Sequence, residues 1–209
     1  MLDLVLPIEC GGCGAPSTRW CPVCVAELAL RPDEPHVIIP RQDPGVPVFS
    51  LGRYAGARRQ AIVALKEHGR ADLVIPLAAA VSAALNTLIR WGLIVPPLTV
   101  VPAPTRSLAA RRRGGDPVTR IASAATASIA GTAVRQALTM RAFTRDSVGL
   151  SSAQRQRNIN GRVRQRAPVT GEVVVFDDIV TTGATAAESV RVLHTSGAHV
   201  TAVLAIAHA

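Results

Sequence analysis

The chain has 209 residues, of which 48% are hydrophobic but only 3% aromatic, enough for one sizeable core of Ala, Val, Leu and Ile plus a small appendage. That apolar content excludes a disordered chain. The formal net charge is +9, and because Lys66 is the only lysine the surplus is carried by arginine, whose planar fork of donors suits phosphate oxygens.

Codon composition would also favour arginine over lysine. The clustering is more specific: from Ala103 to Thr170 the chain carries Arg106, Arg111, Arg112, Arg113, Arg120, Arg155, Arg157 and others against only Asp116 and Asp146. Such a surplus favours phosphate-bearing partners, whether nucleotides or nucleic acid.

Taken in chain order, Met1 to Ile8 is apolar but short and has no basic leader, so no secretion signal is expected and the cytoplasm is the default location. Residues 1–30 hold all four cysteines, as Cys10-Gly-Gly-Cys13 and Cys21-Pro-Val-Cys24. Paired CxxC turns supply the four thiolates that tetrahedral Zn²⁺ prefers. Without an export signal disulfides are the weaker reading, and a redox-active CxxC pair is the alternative to metal. Four protein ligands would leave the metal no open position, so the zinc would be structural.

Residues 31–47 contain Pro32, Pro35, Pro40, Pro44 and Pro47 and read as an extended linker outside the core. From 48 to 209 the pattern alternates helices and buried strands. Gly56 to His68 is expected to be helical, with Ala61, Ile62 and Leu65 on one face and Gly69 as a stop. Asp72 is a candidate cap for a second helix, with Pro76 in its first turn. The long apolar stretch Leu73 to Ile89 is interrupted by Pro76, Ser82 and Asn86 and falls short of the ~20 residues of a membrane span.

Leu98 to Val101 reads as a buried strand ending at Pro102. Asp116-Pro117 caps and opens an alanine-rich helix closed by Gly131, and Ala133 to Met140 reads as one strand. Phe143 to Ala167 is polar and aperiodic, a loop or a helical excursion. Glu172 to Phe176 is a β-branched strand, followed by a loop, a helix from about Thr185 to Thr195 with Val190 and Leu193 inward, Gly197 as its stop, and a strand from His199 to Ile206. Strand, helix, strand with short connections implies a parallel βαβ unit and an α/β fold.

The decisive stretch is Val173-Val174-Val175-Phe176-Asp177-Asp178-Ile179-Val180-Thr181-Thr182-Gly183-Ala184-Thr185. Ligands of open parallel sheets bind at the carboxyl ends of strands. Here a strand runs through two acids into small and hydroxyl residues that open a helix, whose amides and positive end suit a phosphate monoester. Thr181, Thr182 and Thr185 add hydroxyls, and Gly183 lets the backbone approach closely. Carboxylates beside a phosphate need another partner; ribose hydroxyls are one, met directly or through Mg²⁺, which prefers oxygen ligands. The plain alternative is that Asp177 and Asp178 only cap a turn.

This segment resembles the phosphoribosyl pyrophosphate signature of type I phosphoribosyltransferases. Over most of the chain the order of features is similar to the competence protein F (ComF) family: the four-cysteine module, Tyr54 with Ile62 and Leu65-Lys66, Val100-Val101-Pro102-Ala103-Pro104 with an Arg cluster, Gly149-Leu150 through Arg155, Arg157 and Asn158, then the signature. That family is implicated in DNA uptake, and its members are commonly labelled predicted amidophosphoribosyltransferases. The resemblance implies the type I phosphoribosyltransferase fold, a parallel sheet flanked by helices. It also implies that Asp177 and Asp178 hold ribose hydroxyls and Mg²⁺, that Thr181 to Thr185 bind the 5-phosphate, that Pro102, Ala103, Pro104, Thr105 and Arg106 meet the pyrophosphate, and that residues 143–167 form a flexible lid. One departure stands out: Arg113-Gly114 runs into Gly115-Asp116-Pro117, where the family usually shows an aromatic, an asparagine and a glutamine.

Two functional expectations follow. The first is a phosphoribosyltransferase, in the glycosyltransferase class, that moves ribose 5-phosphate to an acceptor and releases pyrophosphate, with Arg106, Arg111 and Arg112 as further pyrophosphate contacts. No residue set names the acceptor, and no cysteine opens a glutaminase domain. The second is an accessory of DNA uptake that binds single-stranded DNA or uptake proteins and uses the same phosphate site for regulation or structure. Scarce aromatics leave the second few stacking platforms.

Overall fold

The run Val173 to Phe176 contains no turn former and carries bulk on both sides of the chain, as a strand covered on both faces requires. In the computed structural model, which describes residues 8–105, 115–141 and 161–209, this run lies within β7 (Glu172–Val180) of a six-stranded sheet. One neighbour is β8 (His199–His208), followed outward by β2 (Val48–Ser50) and β1 (His36–Ile38). The other is β3 (Leu98–Pro102), followed by β4 (Thr132–Val134). Every pairing is parallel except β1 against β2.

Side chains of a strand alternate between faces, and β7 uses both. Val174 and Phe176 join a core with Ile62 and Leu65 of α2 (Gly56–Glu67), Leu77, Val81 and Leu85 of α3 (Val74–Arg90), and Ile121 of α4 (Pro117–Thr126). Val173 and Val175 pack on the other face with Val190 and Leu193 of α5 (Ala184–Thr195). The sheet therefore carries helices on both faces. The segment Ala71–Arg90 is the one described helix long and apolar enough to cross a membrane. Its apolar residues at helical spacing are accounted for by this core.

Chain direction sets where a ligand can sit. From β3 the chain passes through α4 to β4 on one side, and from β7 it passes through α5 to β8 on the other. The carboxyl ends of β3 and β7 are thus a point where the strand order reverses, the usual crevice of an open α/β sheet. The ladder holds to the last residues there, with Pro102 opposite Phe176 and the Ala103 N–H donating to the Phe176 carbonyl at 2.7 Å.

Several elements differ from expectation. β7 extends four residues past Phe176 because β8 keeps pairing with it, Asp177 opposite Ala205 and Val180 opposite His208. Residues 133–140 are two strands: β4 stays in the main sheet, while β5 (Leu138–Met140) pairs antiparallel with β6 (Val163–Gln165). Asp72 does not cap α3; its carboxylate takes two bonds from Arg70, at 2.7 and 2.9 Å. The proline-rich stretch is docked to the domain, giving the edge strand β1. Asp116 does cap α4, accepting from the Val118 and Thr119 N–H groups at 3.3 and 3.2 Å.

Candidate functional site

The turn after β7 is built around Gly183, whose φ of 84° lies in the left-handed region that side chains disfavour. Gly183 is also the N-cap of α5 and brings no side chain to it; the Ala184 N–H meets only the Thr182 hydroxyl, at 3.4 Å, so the helix's positive end lies at the turn. Thr181 is exposed, Thr182 and Thr185 are half-buried, and Gly183 and Ala184 are buried. Burial of Gly183 comes from the proline-rich stretch: a Cβ there would collide with the Gln42 carbonyl and Pro40. The Gln42 N–H donates to the Thr182 carbonyl at 2.8 Å, so residues 40–42 strap one side of the turn.

The two aspartates are adjacent, and their carboxyls interact directly. Asp178 continues the face of Val174 and Phe176 and forms an ion pair with Lys66 at the end of α2. It is only 6% exposed. Asp177 is half-buried, with its carboxyl beside that of Asp178. Each carboxylate also accepts the next backbone N–H, Asp177 from Asp178 at 2.8 Å and Asp178 from Ile179 at 2.9 Å. The acids therefore do not act as twins: Lys66 already engages one, and two apolar residues, Ile179 and Val180, separate both from the turn.

Burial first, and then the neighbouring Asp178 charge, raise the Asp177 carboxyl well above the ordinary carboxylate range, while Lys66 works in the opposite direction. Strongly perturbed acids in a cleft mark functional sites.

At the end of β3, Pro102, Ala103 and Pro104 are buried, and the Thr105 hydroxyl donates to Asp116 at 3.1 Å, tying this loop to the start of α4. Arg106, Arg111 and Arg112 lie outside the described residues, as does most of the expected lid, 142–160. Its flanks are adjacent: the Arg141 N–H donates to the Arg162 carbonyl at 2.9 Å. The Gly161 N–H donates to Glu188 of α5 at 2.6 Å.

The four cysteines converge. Their sulfurs all lie within 4.8 Å of one another, with Cys10 and Cys24 at 3.6 Å and Cys13 and Cys21 at 3.5 Å. A tetrahedron with metal–sulfur bonds of ~2.3 Å has edges of about 3.8 Å, so the set fits a metal ion. The sulfurs are too far apart for disulfides, which need about 2.05 Å. Burial opposes ionisation of Cys10, yet the backbone amides of Cys13, Cys21 and Gly12 outweigh it and bring the thiol down to about 6. For Cys24, burial and then the Cys10 sulfur raise the thiol. Gly12 is needed here because a Cβ would press on the Cys24 sulfur at 2.5 Å and on Trp20 at 3.0 Å.

Sequence reading did not find the role of Lys66 or of the 40–42 strap. The one available signal was that Lys66 is the only lysine among 23 basic residues. No protein-family model matches the chain, and no curated protein matches it.

Removing Lys66 leaves Asp178 buried without its counter-charge. Lys66→Met is expected to lower stability by about 3 kcal/mol in denaturant unfolding, and Lys66→Met with Asp178→Leu to recover most of that. An unchanged midpoint in Lys66→Met would contradict the pairing.

Asp177 acts oppositely with pH. Between the ordinary carboxylate value and its raised one, the folded chain holds a proton that the unfolded chain has released, so stability falls as pH climbs through that window. Asp177→Asn is expected to be more stable than wild type at neutral pH, the gap closing below pH ~4. A gap that is flat with pH would show that the carboxyl is not perturbed.

Proposed function

We propose that the chain binds phosphoribosyl pyrophosphate where β7 meets α5, and that it is a phosphoribosyltransferase of type I fold and ComF resemblance, working in a reducing cytoplasm. The observation that carries this reading is the Thr181–Thr185 turn: a left-handed glycine and an uncapped helix start, immediately after an acidic strand end, at the sheet's reversal point.

In this reading the Thr181, Thr182 and Thr185 hydroxyls and the amides of Gly183, Ala184 and Thr185 take the 5-phosphate. Asp177, free of an ion pair among the described residues, accepts from the ribose hydroxyls. Asp178, engaged by Lys66, positions the strand end. The loop from Pro102 to Thr105, with Arg106, Arg111 and Arg112, meets the pyrophosphate and stabilises its charge as it leaves. Mg²⁺, when bound, offsets the diphosphate charge. The protein's share of its ligands reduces to Asp177, because Asp178 is taken, so the ion would arrive with the diphosphate oxygens.

The cysteine cluster is assigned as a closed, structural zinc site, in keeping with its four thiols and free cysteines. The net charge of +9 supports single-stranded DNA as a second partner class, in line with the DNA-uptake resemblance.

Calorimetry with phosphoribosyl pyrophosphate and Mg²⁺ tests the ligand. Wild type is expected to bind, and Asp177→Asn to bind about tenfold or more weakly, because Mg²⁺ and the ribose favour an ionised carboxylate that Asn does not provide. Asp177 is the informative position because changing Asp178 also disturbs Lys66. Absence of binding to wild type would remove the reading. For the metal, protein prepared under reducing conditions is expected to contain one zinc per chain, and Cys24→Ser to lose it. Four thiols that react freely before any chelator is added would contradict the zinc assignment.

A further inference from the structure

A pocket opens beyond the ends of β2 and β8, away from the Thr181–Thr185 turn. It has a volume of about 560 Å³ and is lined by the end of β2, the start of β1, the first turn of α2 and the end of β8. That volume lies in the range of small-molecule sites.

Its charge is unevenly committed. Two carboxylates reach it, and both are engaged: Glu34 accepts the Arg31 N–H at 2.9 Å and lies 3.6 Å from the His36 Nε2, and Glu27 accepts the Ala57 N–H at 2.7 Å. The guanidinium groups of Arg31, Arg53 and Arg58 also line it, and none makes a hydrogen bond or ion pair among the described residues. The Arg58 Nε is buried without a hydrogen-bond partner. His36 and His208 complete the wall.

The place for Arg58 is built into the backbone. Gly52 has a φ of 147°, and a Cβ there would meet the Arg58 Nη1 at 2.7 Å and Cζ at 3.0 Å. A glycine thus makes room for a guanidinium laid against the main chain. Burial lowers the Arg58 pKa, with Glu34 and Glu27 opposing it. Burial, then Arg53, His36 and Arg58, lower that of His208. Burial is the first cause in both, and neighbouring cations add to it.

We propose that this pocket binds the phosphate group of a phosphorylated small molecule through Arg58, Arg53 and Arg31. The guanidinium forks provide several donors for a tetrahedral oxyanion. The pocket has room for more than free phosphate. His208 stands opposite Val180 in the ladder, one residue before the Thr181 turn, so the two sites are neighbours with separate residues. This assignment is independent of the ligand proposed for the turn.

Imidazole NMR of His36 and His208 during a titration with inorganic phosphate reads the pocket directly. Both resonances are expected to shift at millimolar phosphate, with the His208 pKa moving up as an anion settles beside it. The shifts are expected to vanish in Arg58→Gln and to persist in Thr182→Val, which alters only the turn. If Arg58→Gln does not fold, Arg53→Gln serves, with the response weakened severalfold. Unmoved resonances in wild type would overturn the proposal, as would shifts lost in Thr182→Val. An equal response to acetate would overturn the phosphate assignment in favour of a carboxylate. Failure of phosphoribosyl pyrophosphate to bind at the turn would leave these shifts in place.

Discussion

Charge at the end of a buried strand has to be balanced, and this constraint organises the region around β7. The sheet is mostly apolar where Asp177 and Asp178 sit side by side. The last turn of α2 supplies Lys66, which pairs with Asp178 and ties the helix to the strand end. No cation pairs with Asp177 among the described residues, and its carboxyl is pushed toward the neutral form by burial and the Asp178 charge. An acid kept at some cost to stability is a feature that function explains better than folding does. One aspartate anchors, and the other is available.

Much of this was legible in the sequence because it depends on local rules. The β-branched run at 173–175, the Gly183 turn and the amphipathic 184–195 segment each specify their conformation within a few residues. The Asp116-Pro117 cap does the same, down to the two amides it accepts. The four cysteines carried their geometry in their spacing. What escaped depends on register between distant segments. Nothing near position 66 shows that it will face position 178, since that follows from how α2 lies on the sheet. The length of β7 was underread because acids are poor strand formers, and only pairing with β8 carries the strand through them. The division of residues 133–140 was hidden for the same reason: two short strands in different sheets look like one long one.

Proline content also misled. Five prolines between residues 31 and 47 signal an extended linker, but the stretch carries turns and bends around the short strand β1 and is docked to the sheet. The stretch adds an edge strand and then crosses the turn, where Gly183 has no side chain to exclude it. The cysteine module is joined to the domain in a similar way. Arg70 donates to the Glu9 carbonyl at 3.1 Å while gripping Asp72, and Glu27 of the module accepts an amide at the start of α2. Module and sheet thus meet at α2, the helix that also carries Lys66.

The account stands or falls on the amides and hydroxyls of the β7–α5 turn holding a sugar phosphate. A crystal structure with phosphoribosyl pyrophosphate and Mg²⁺ tests this most directly. The account predicts the 5-phosphate within hydrogen-bond distance of the Gly183 to Thr185 amides, with the ribose hydroxyls at Asp177 and Lys66 still on Asp178. Density for the ligand elsewhere, with the turn holding no phosphate, would contradict it.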